Sequence, residues 1–600
     1  MAGILGMFGK VYARADRDAM LETIDPFEID DRRTIDADSG FLGLAQRKNS
    51  PFKGQSYYRD VDFAAFFCGD LVGADEIVWT EIIDILKRRR FRDVPELPGL
   101  FALAGYDTRK RALYLMSDIY SFFPLYYAID GGSAFFSTSL ASFARFGTFE
   151  FNPAWFFEYM YFNFAISKTT LYKGVHRMPP ASILQYEMEG LRTVIHSYGK
   201  GFRRKEKLLE GHDALARAKV VFNERMPLYF GGQHEIAHAL SGGFDTRTVL
   251  AFAPPGRESS IMTYTYGMPG CSDITEARML AQKLGLPHRE LLFDDAYVRR
   301  LPELFYGAVF ASGGLENTNR ACLVHAFRAI TEEGTRFPVI LGGVAADIIF
   351  RGHTLSPHFF SLDMEKTFLS RKKTINSEYF KRMFGARFDE FNAHINAALD
   401  DLQERFGAFE PVDSCFGYLM YEAIPRYFNG ELVIANHFAS YRIPFLDPEI
   451  VRLACEIEFS IFRLGKFIHT DTYREGILQS YLISQHPKLG RIPLRGLPLV
   501  AFTSQRKPLY QLLKLVFRGP RKALARIRRD PVVPIEDWGT WYRTVLKHDL
   551  ENLLLKDPMI GSYVEADFLR ETLSSNIIHP IKLFASAELT MRLASRGWKR

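Results

Sequence analysis

The residues best suited to chemistry form one short run, L-S-G-G-F-D-T-R, at positions 240–247. Two adjacent glycines allow the backbone to bend and to approach a ligand without an obstructing Cβ. If a helix begins there, its free N–H groups and positive dipole end favour an anion, and the Ser241 and Thr246 hydroxyls add donors. Asp245 does not suit a bare anion, but Mg²⁺ is typically held by one or two carboxylates together with phosphate oxygens. The run therefore predicts a magnesium–polyphosphate site, although it is not a G-x-x-x-x-G-K-S/T loop.

The elements around this run predict a parallel sheet. The apolar residues 236–240 have the length of a buried strand, and a helical pattern follows the glycines. Further strand-like runs occur at residues 260–266, 288–293 and 339–343. A β-α-β-α-β order favours parallel strands with ligands at their carboxyl ends, where Ser241 and Gly267 both lie.

The first two hundred residues show a different pattern, with many strand-length runs broken by Gly, Asp and Arg-Lys turns. This pattern predicts a layered α+β domain rich in strands. Residues 199–207 are polar and contain two glycines, so they mark a domain boundary. We therefore predict one domain over residues 1–200 and a second over residues 201–600.

Composition limits the class of protein. Six hundred residues exceed one hydrophobic core, and the net charge of +6 is mild for this length, so nucleic acid is not an expected partner. The five cysteines lie far apart without a C-x-x-C pair, which fits a reducing compartment. No run of about 18 apolar residues occurs, so no membrane span is expected. These features predict a cytoplasmic protein.

Three motifs together resemble one enzyme family. S-G-G-F-D-T at 241–246 resembles S-G-G-x-D-S, the pyrophosphate loop of ATP-pyrophosphatase enzymes that activate carboxylates as adenylates. G-G-V-A-A-D at 342–347 resembles S-G-E-G-A-D, and R-I-P-F-L-D at 442–447 resembles R-V-P-F-L-D. The runs at 97–107 and 136–139 resemble an N-terminal glutaminase domain. The chain is identified on these residues as similar to the asparagine synthetase superfamily.

The resemblance implies a fold class and a ligand set. The fold would be α/β, with an inactive Ntn-hydrolase-like α+β sandwich followed by an adenine nucleotide α-hydrolase-like (PP-loop) domain that has a parallel sheet and a helical C-terminal part. ATP and Mg²⁺ would be the cofactors, with Asp245 and Asp347 as metal ligands. Lys466, or else Arg474, would supply a catalytic cation beside the adenylate. The implied nucleotide-binding residues are Leu240, Ser241, Gly242, Gly243, Asp245, Thr246, Thr265, Gly267 and Gly343.

The sequence departs from the family at positions that release ammonia from glutamine or act on the attacking amine. Ala2 replaces the cysteine nucleophile of the glutaminase, and an alanine methyl cannot attack an amide. Val344 and Ile348 replace two glutamates of the second motif, and Ser440 replaces the glutamate that precedes R-V-P-F-L-D in relatives that form β-lactams. We therefore expect no glutamine hydrolysis and do not expect asparagine as the product.

The function implied is an ATP-dependent, AMP-forming ligase that adenylates a carboxylate for attack by an amine, as in peptide macrocyclisation by lasso-peptide cyclases. The acyl substrate would be a small molecule or a peptide, and the basic residues between 517 and 529 could dock an acidic precursor or leader peptide. Two alternatives stay open: an asparagine synthetase-like enzyme that uses free ammonia, and a non-catalytic nucleotide-binding or scaffold subunit. The sequence does not indicate the oligomeric state.

Overall fold

The structure of the protein is a computed structural model. It describes residues 3–9, 14–24, 27, 30–37, 39–47, 56–73, 76–146, 149–166, 168–203, 205–232, 234–315, 320–331, 337–351, 377–406, 416–457, 477–492, 533–575 and 577–598.

Two antiparallel sheets of six strands build the N-terminal part. In chain order the strands are β1 Gly3–Phe8, β2 Asp30–Ala37, β3 Gly40–Arg47, β4 Tyr57–Arg59, β5 Phe63–Leu71, β6 Gly99–Asp107, β7 Ala112–Ser117, β8 Tyr126–Asp130, β9 Ser133–Ser137, β10 His176–Arg177, β11 Ser182–Glu187 and β12 Arg192–Ser197. The sheet orders are β10-β8-β9-β1-β3-β2 and β12-β11-β7-β6-β5-β4. The sheets face each other, with the rings of Phe8 and Tyr106 4.5 Å apart between them.

Helices flank this sandwich. They are Arg14–Glu22, Glu76–Arg88, Phe143–Phe146 and Pro153–Phe162, with short 3₁₀ turns at Phe91–Asp93 and Leu140–Ser142. Phe67 of β5 packs against Trp79 of the helix Glu76–Arg88, with ring centroids 5.1 Å apart. One face of β5 packs against the other sheet and the opposite face packs against this helix, so every residue of β5 is buried.

A parallel sheet forms the centre of the second part. Its strands are β13 Ile236–Ala239, β14 Ile261–Gly267, β15 His288–Leu292, β16 Val339–Leu341 and β17 Ser440–Arg442, in the order β15-β14-β13-β16-β17. After β13 the chain builds β14 and β15 on one side and returns to build β16 and β17 on the other. The carboxyl ends of β13 and β16 therefore flank a topological switch point, where open α/β sheets bind ligands.

Helices cover this sheet and make up the rest of the chain. They are Gly211–Arg225, Phe244–Ala251, Ser272–Leu284, Asp295–Arg299, Leu301–Ala311, Ala321–Thr331, Ala346–Arg351, Ser377–Phe384, Phe388–Phe406, Ile424–Tyr427, Asn429–Asn436, Pro448–Glu456, Ile477–Ser484, Trp538–Trp541, Lys547–Leu555, Ala566–Ser575 and Ile578–Ser595. Shorter 3₁₀ turns are Met226–Phe230, Glu258–Ser260, Gly385–Arg387, Pro444–Leu446, Leu489–Arg491 and Met559–Ser562, and π-helical turns are Leu419–Ala423 and Tyr542–Leu546. Among the helices described, none is long and apolar enough to cross a membrane.

The predicted fold class is confirmed, with an Ntn-like sandwich followed by a PP-loop domain that contains a parallel sheet. The predicted strands of that sheet are found within one or two residues of their expected bounds. The largest difference is at residues 339–343, where the strand ends at Leu341 and the two glycines belong to the turn. Glycine contributes no side chain to a strand, whereas it suits a close turn.

A buried ion pair joins the two parts. Asp70 of β5 accepts a hydrogen bond from Nε of Arg442 of β17 at 2.6 Å, and both side chains are about 5% exposed. Nη1 of Arg442 donates to the carbonyl of Tyr229 at 2.7 Å. Arg442, the first residue of the family-like motif at 442–447, therefore holds the sandwich against the parallel sheet.

We predict that Asp70→Ala destabilises the protein by about 3–5 kcal/mol, because it leaves the buried Arg442 guanidinium without a counter-charge. Urea denaturation followed by tryptophan fluorescence measures the change. Glu150→Ala serves as the matched control, since Glu150 pairs with Lys173 on the surface, and we expect no measurable shift. Equal stability of the two variants would contradict a joining role for the buried pair.

Candidate functional site

The glycine turn after β13 has the predicted strand–turn–helix form. The helix Phe244–Ala251 begins directly after Gly243. The Ser241 hydroxyl accepts a hydrogen bond from the Gly243 N–H at 3.2 Å, and the Thr246 hydroxyl accepts one from the Ser241 N–H at 3.1 Å. The two hydroxyls lie 3.3 Å apart, so they brace the turn and face each other across it.

Packing leaves little space for a side chain at Gly242, the first glycine of the turn. A Cβ at Gly242 would lie 2.1 Å from Oε2 of Glu276, which approaches from the helix Ser272–Leu284. At Gly243 a Cβ would meet only the Ser241 hydroxyl, at 3.2 Å. Glycine at 242 therefore allows the neighbouring helix to pack against the turn. At Gly243 the only atom near the position of a Cβ is the Ser241 hydroxyl oxygen.

The turn after β16 contacts the glycine turn. A Cβ at Gly343 would lie 3.2 Å from Cβ of Asp245 and 3.3 Å from the backbone nitrogen of Thr246. The helix Ala346–Arg351 starts three residues later, and Asp347 is its second residue. The backbone thus brings both aspartate-bearing turns to the same edge of the sheet. The side chain of Asp347 lies outside the described part of the chain, so the shared metal site stays a prediction.

Asp245 has a partner that the sequence did not indicate. Nε2 of Gln479 donates a hydrogen bond to Oδ1 of Asp245 at 2.9 Å. Gln479 is buried and belongs to the helix Ile477–Ser484, more than two hundred residues along the chain. An amide that holds one carboxylate oxygen fixes the direction of the other, which is how second-sphere groups orient metal ligands.

His238 supports the turn from beneath. Its side chain is fully buried in β13, and Nε2 donates to the carbonyl of Thr246 at 2.9 Å, so this nitrogen carries the proton. Burial lowers the pKa of His238 to about 4, because a charged imidazolium would be deprived of water. The turn therefore rests on a neutral histidine.

A cleft of about 560 Å³ opens from the glycine turn along the carboxyl end of β14. This volume is within the usual range for small-molecule sites. The cleft is lined by Ala239, Leu240, Ser241, Thr246, Tyr264, Thr265, Tyr266, Asp273, Arg320, Cys322, Tyr427, Ile535, Glu536 and Lys582. Four of the residues predicted to bind nucleotide, Leu240, Ser241, Thr246 and Thr265, line this one cleft, and the Thr265 hydroxyl donates to the carbonyl of Leu240.

Residues from the C-terminal part form the wall opposite the turn. Nε1 of Trp538 donates to Oε2 of Glu536 at 2.9 Å, and Nζ of Lys582 lies 4.3 Å above the Trp538 ring. Burial lowers the pKa of Lys582 to about 8, while the nearby carboxylate of Glu536 opposes this shift. No motif marks these residues in the sequence, so only the tertiary structure indicates them.

Gly267 of the predicted set has a structural role at this wall. Its φ of +154° favours glycine, and a Cβ there would lie 2.8 Å from Sγ of Cys271. The next residue, Met268, donates its N–H to the carbonyl of Ile535 at 2.9 Å. Because residue 267 has no side chain, the C-terminal segment can pack against the end of β14.

The motif at 442–447 has a packing role as far as the structure describes it. Asp447 accepts hydrogen bonds from Nε and Nη2 of Arg225 and from the Tyr229 hydroxyl. It also caps the helix Pro448–Glu456 by accepting from the Glu449 N–H. Ala2, Lys466, Arg474 and the basic run at 517–529 lie outside the described residues. Within the residues described, no group of three or more His, Cys, Asp and Glu side chains could hold a metal ion.

Family comparisons agree with both halves of the chain. The family model described as "Asparagine synthase" matches residues 232–467, and the one described as "Glutamine amidotransferase domain" matches residues 81–198. Proteins of Mycobacterium bovis and Mycobacterium tuberculosis named "Putative asparagine synthetase (glutamine-hydrolyzing)" are 25% identical over 270 residues. That match covers 43% of this chain and 40% of each relative, so the chain spans about two fifths of their length.

Solved structures resemble the chain only weakly. The glutamine phosphoribosylpyrophosphate amidotransferase of B. subtilis is 12% identical with a TM-score of 0.25, over 50% of this chain and 67% of that one. The NH3-dependent NAD synthetase of Campylobacter jejuni is 14% identical with a TM-score of 0.18, over 37% of this chain and 97% of that one.

The histidine beneath the turn predicts a loss of stability in acid. The unfolded chain binds a proton near pH 6.5 and the folded one only near pH 4, so stability is present above pH 6.5 and falls as pH decreases through this window. Between pH 7 and pH 5 the loss should be about 2 kcal/mol. Denaturant titrations at both pH values measure it. His238→Gln should reduce the loss, His212→Gln at the surface should not, and an unchanged pH dependence in His238→Gln would contradict the buried neutral imidazole.

Proposed function

Because the chain belongs to the asparagine synthetase superfamily, we propose that it is an ATP-dependent ligase that adenylates a carboxylate, releases pyrophosphate and passes the acyl group to an amine. The observation that carries this proposal is the contact between the two turns at the carboxyl ends of β13 and β16. Gly343 lies there against Cβ of Asp245 and the backbone nitrogen of Thr246. Anion donors and the Asp245 carboxylate are then present at one place, and Asp347 would add the second carboxylate of a metal–polyphosphate site.

The residues of the turn would grip the pyrophosphate end of ATP. The Ser241 and Thr246 hydroxyls can donate to phosphate oxygens, and the N-terminus of the helix Phe244–Ala251 adds free N–H groups and a positive dipole end. Asp245, oriented by Gln479, and Asp347 would hold Mg²⁺. The metal, when bound, would neutralise charge that builds up on the departing pyrophosphate.

The cleft would hold the rest of the nucleotide and the acyl substrate. In an in-line displacement the attacking oxygen enters opposite the leaving group. Since pyrophosphate would leave toward the glycine turn, the carboxylate would enter from the part of the cleft lined by Arg320 and Tyr427. Nη1 of Arg320 lies 3.7 Å from Oε2 of Glu431. This ion pair would hold the Arg320 guanidinium at the place where the carboxylate enters. Lys466, with Arg474 as the alternative, remains the predicted cation beside the adenylate.

The amine would not come from glutamine. Alanine occupies position 2, where the family has its nucleophile. Cys68 belongs to β5, and complete burial raises the pKa of its thiol, so it does not replace the missing group. We propose that the amine belongs to the substrate, as in peptide macrocyclisation, with a precursor or leader peptide as partner. Use of free ammonia and a non-catalytic nucleotide-binding role are the alternatives.

ATP–pyrophosphate exchange tests the adenylation step. L-aspartate and linear peptides with a free side-chain carboxylate are the probes. Asp245→Asn should lower Mg²⁺-dependent exchange about 100-fold or more, because the metal site loses a carboxylate. Asp295→Asn removes an exposed carboxylate at the start of another helix and should leave the exchange unchanged. Binding of ATP without exchange for any probe would contradict the ligase and favour the nucleotide-binding alternative.

The nitrogen source has its own test. With glutamine labelled at the amide nitrogen, we expect no glutamate above the uncatalysed background, because the family's nucleophile is absent. Ammonium chloride, supplied separately with the same carboxylate probes, distinguishes an ammonia-dependent ligase from one that uses an amine of its substrate. Release of glutamate in proportion to AMP would overturn the proposed inactivity of the glutaminase-like domain.

A further inference from the structure

A segment beyond the family match completes the nucleotide cleft. The match to the asparagine synthase model ends at residue 467, whereas Ile535, Glu536 and Lys582 all line the cleft. The carbonyl of Ile535 accepts the N–H of Met268, which follows β14 directly. This segment is therefore held against the carboxyl end of the strand that neighbours the glycine turn.

The segment lies where the nucleoside of ATP would be expected if the phosphates bind at the glycine turn. On the β16 side, the turn that contains Gly343 lies directly against Asp245 and Thr246 of the glycine turn. On the β14 side, the cleft continues past Thr265 to Glu536. A nucleotide whose terminal phosphates lie on the glycine turn would consequently extend its ribose and base along β14.

Glu536 presents one buried oxygen for which the described residues supply no N–H or O–H donor. Oε2 accepts from Nε1 of Trp538, and the Cys322 thiol, a weak donor, also hydrogen-bonds the carboxylate. Oε1 is buried and has no N–H or O–H donor among the residues described. A buried acceptor without a donor is unfavourable and rare in folded proteins. The oxygen therefore calls for a ligand that donates a hydrogen bond.

We propose that Glu536 accepts a hydrogen bond from a ribose hydroxyl of the bound ATP, with Trp538 and Lys582 as positioning residues. This inference rests on the proposed function, since it takes ATP as the ligand of the glycine turn. A carboxylate beside the ribose is a common way to recognise the 2′-hydroxyl in nucleotide-binding α/β folds. The terminal phosphates would be bound by the domain that matches the family, and the sugar by the C-terminal segment.

The two positioning residues act together on the carboxylate. The Trp538 indole holds Oε2, and its ring carries the Lys582 ammonium on one face. The Lys582 ammonium is also attracted to Glu536 itself. The carboxylate is thus oriented before a ligand arrives, which limits the entropy lost on binding.

Calorimetric titration with Mg–ATP, Mg–2′-deoxy-ATP and Mg–3′-deoxy-ATP tests the proposal. The wild-type chain should bind ATP about 10-fold more tightly than at least one deoxy analogue, because a hydrogen bond to a charged group is lost. Glu536→Gln should bind ATP about 10-fold more weakly and should no longer distinguish the analogues. Glu551→Gln, at a surface carboxylate that pairs with Lys547, is the matched control and should behave as wild type.

A second variant separates positioning from general disruption. Trp538→Phe keeps an aromatic ring beneath Lys582 but removes the N–H that holds Oε2, so it should reduce the discrimination between ATP and its deoxy analogues. Unchanged discrimination in Glu536→Gln, or equal wild-type affinity for all three nucleotides, would overturn the proposal. A loss seen only with an analogue that lacks the 6-amino group of adenine would also overturn it, since Glu536 would then face the base. Failure of the wild type to bind any of the nucleotides would instead refute the proposed function.

Discussion

Close approach of two backbones, at Gly343 and at Asp245–Thr246, is the constraint on which the site depends. A Cβ on Gly343 would lie 3.2–3.3 Å from atoms of both residues, which is tighter than ordinary contact, so a side chain here would push the turns after β13 and β16 apart by a few tenths of an ångström. Because these strands are neighbours at the switch point of a parallel sheet, their turns share one edge. Asp245 and Asp347 each follow one of these turns, which is why two residues a hundred positions apart could serve one metal.

The N-terminal sandwich contributes to this arrangement even if it has no chemistry of its own. Arg442 of β17 is anchored by Asp70 of the sandwich, and β17 pairs with β16, whose turn carries Gly343. The position of the second turn therefore depends on contacts that cross between the two parts. The glutaminase-like domain therefore supports the shape of the candidate site through these contacts.

The sequence was most informative where one short motif determines both local structure and chemistry. Residues 236–247 predicted a strand, a glycine turn and a helix start, and the structure has all three. Arg442 and Asp447 were recognised by resemblance, yet their contacts with Asp70 and Arg225 could not be read from spacing. Gln479, Glu536 and Lys582 escaped prediction, because they reach the site from distant helices and segments through tertiary packing alone.

The central claim is that Asp245 and Asp347 hold one metal ion on the phosphates of ATP. Electron paramagnetic resonance of Mn²⁺, used in place of Mg²⁺ with ATP and the full chain, tests it most directly through the couplings of the metal to phosphorus. We predict strong phosphorus coupling in the protein-bound complex, and loss of the bound metal in Asp245→Asn and Asp347→Asn alike. A bound Mn²⁺ signal that survives either substitution unchanged would contradict the account.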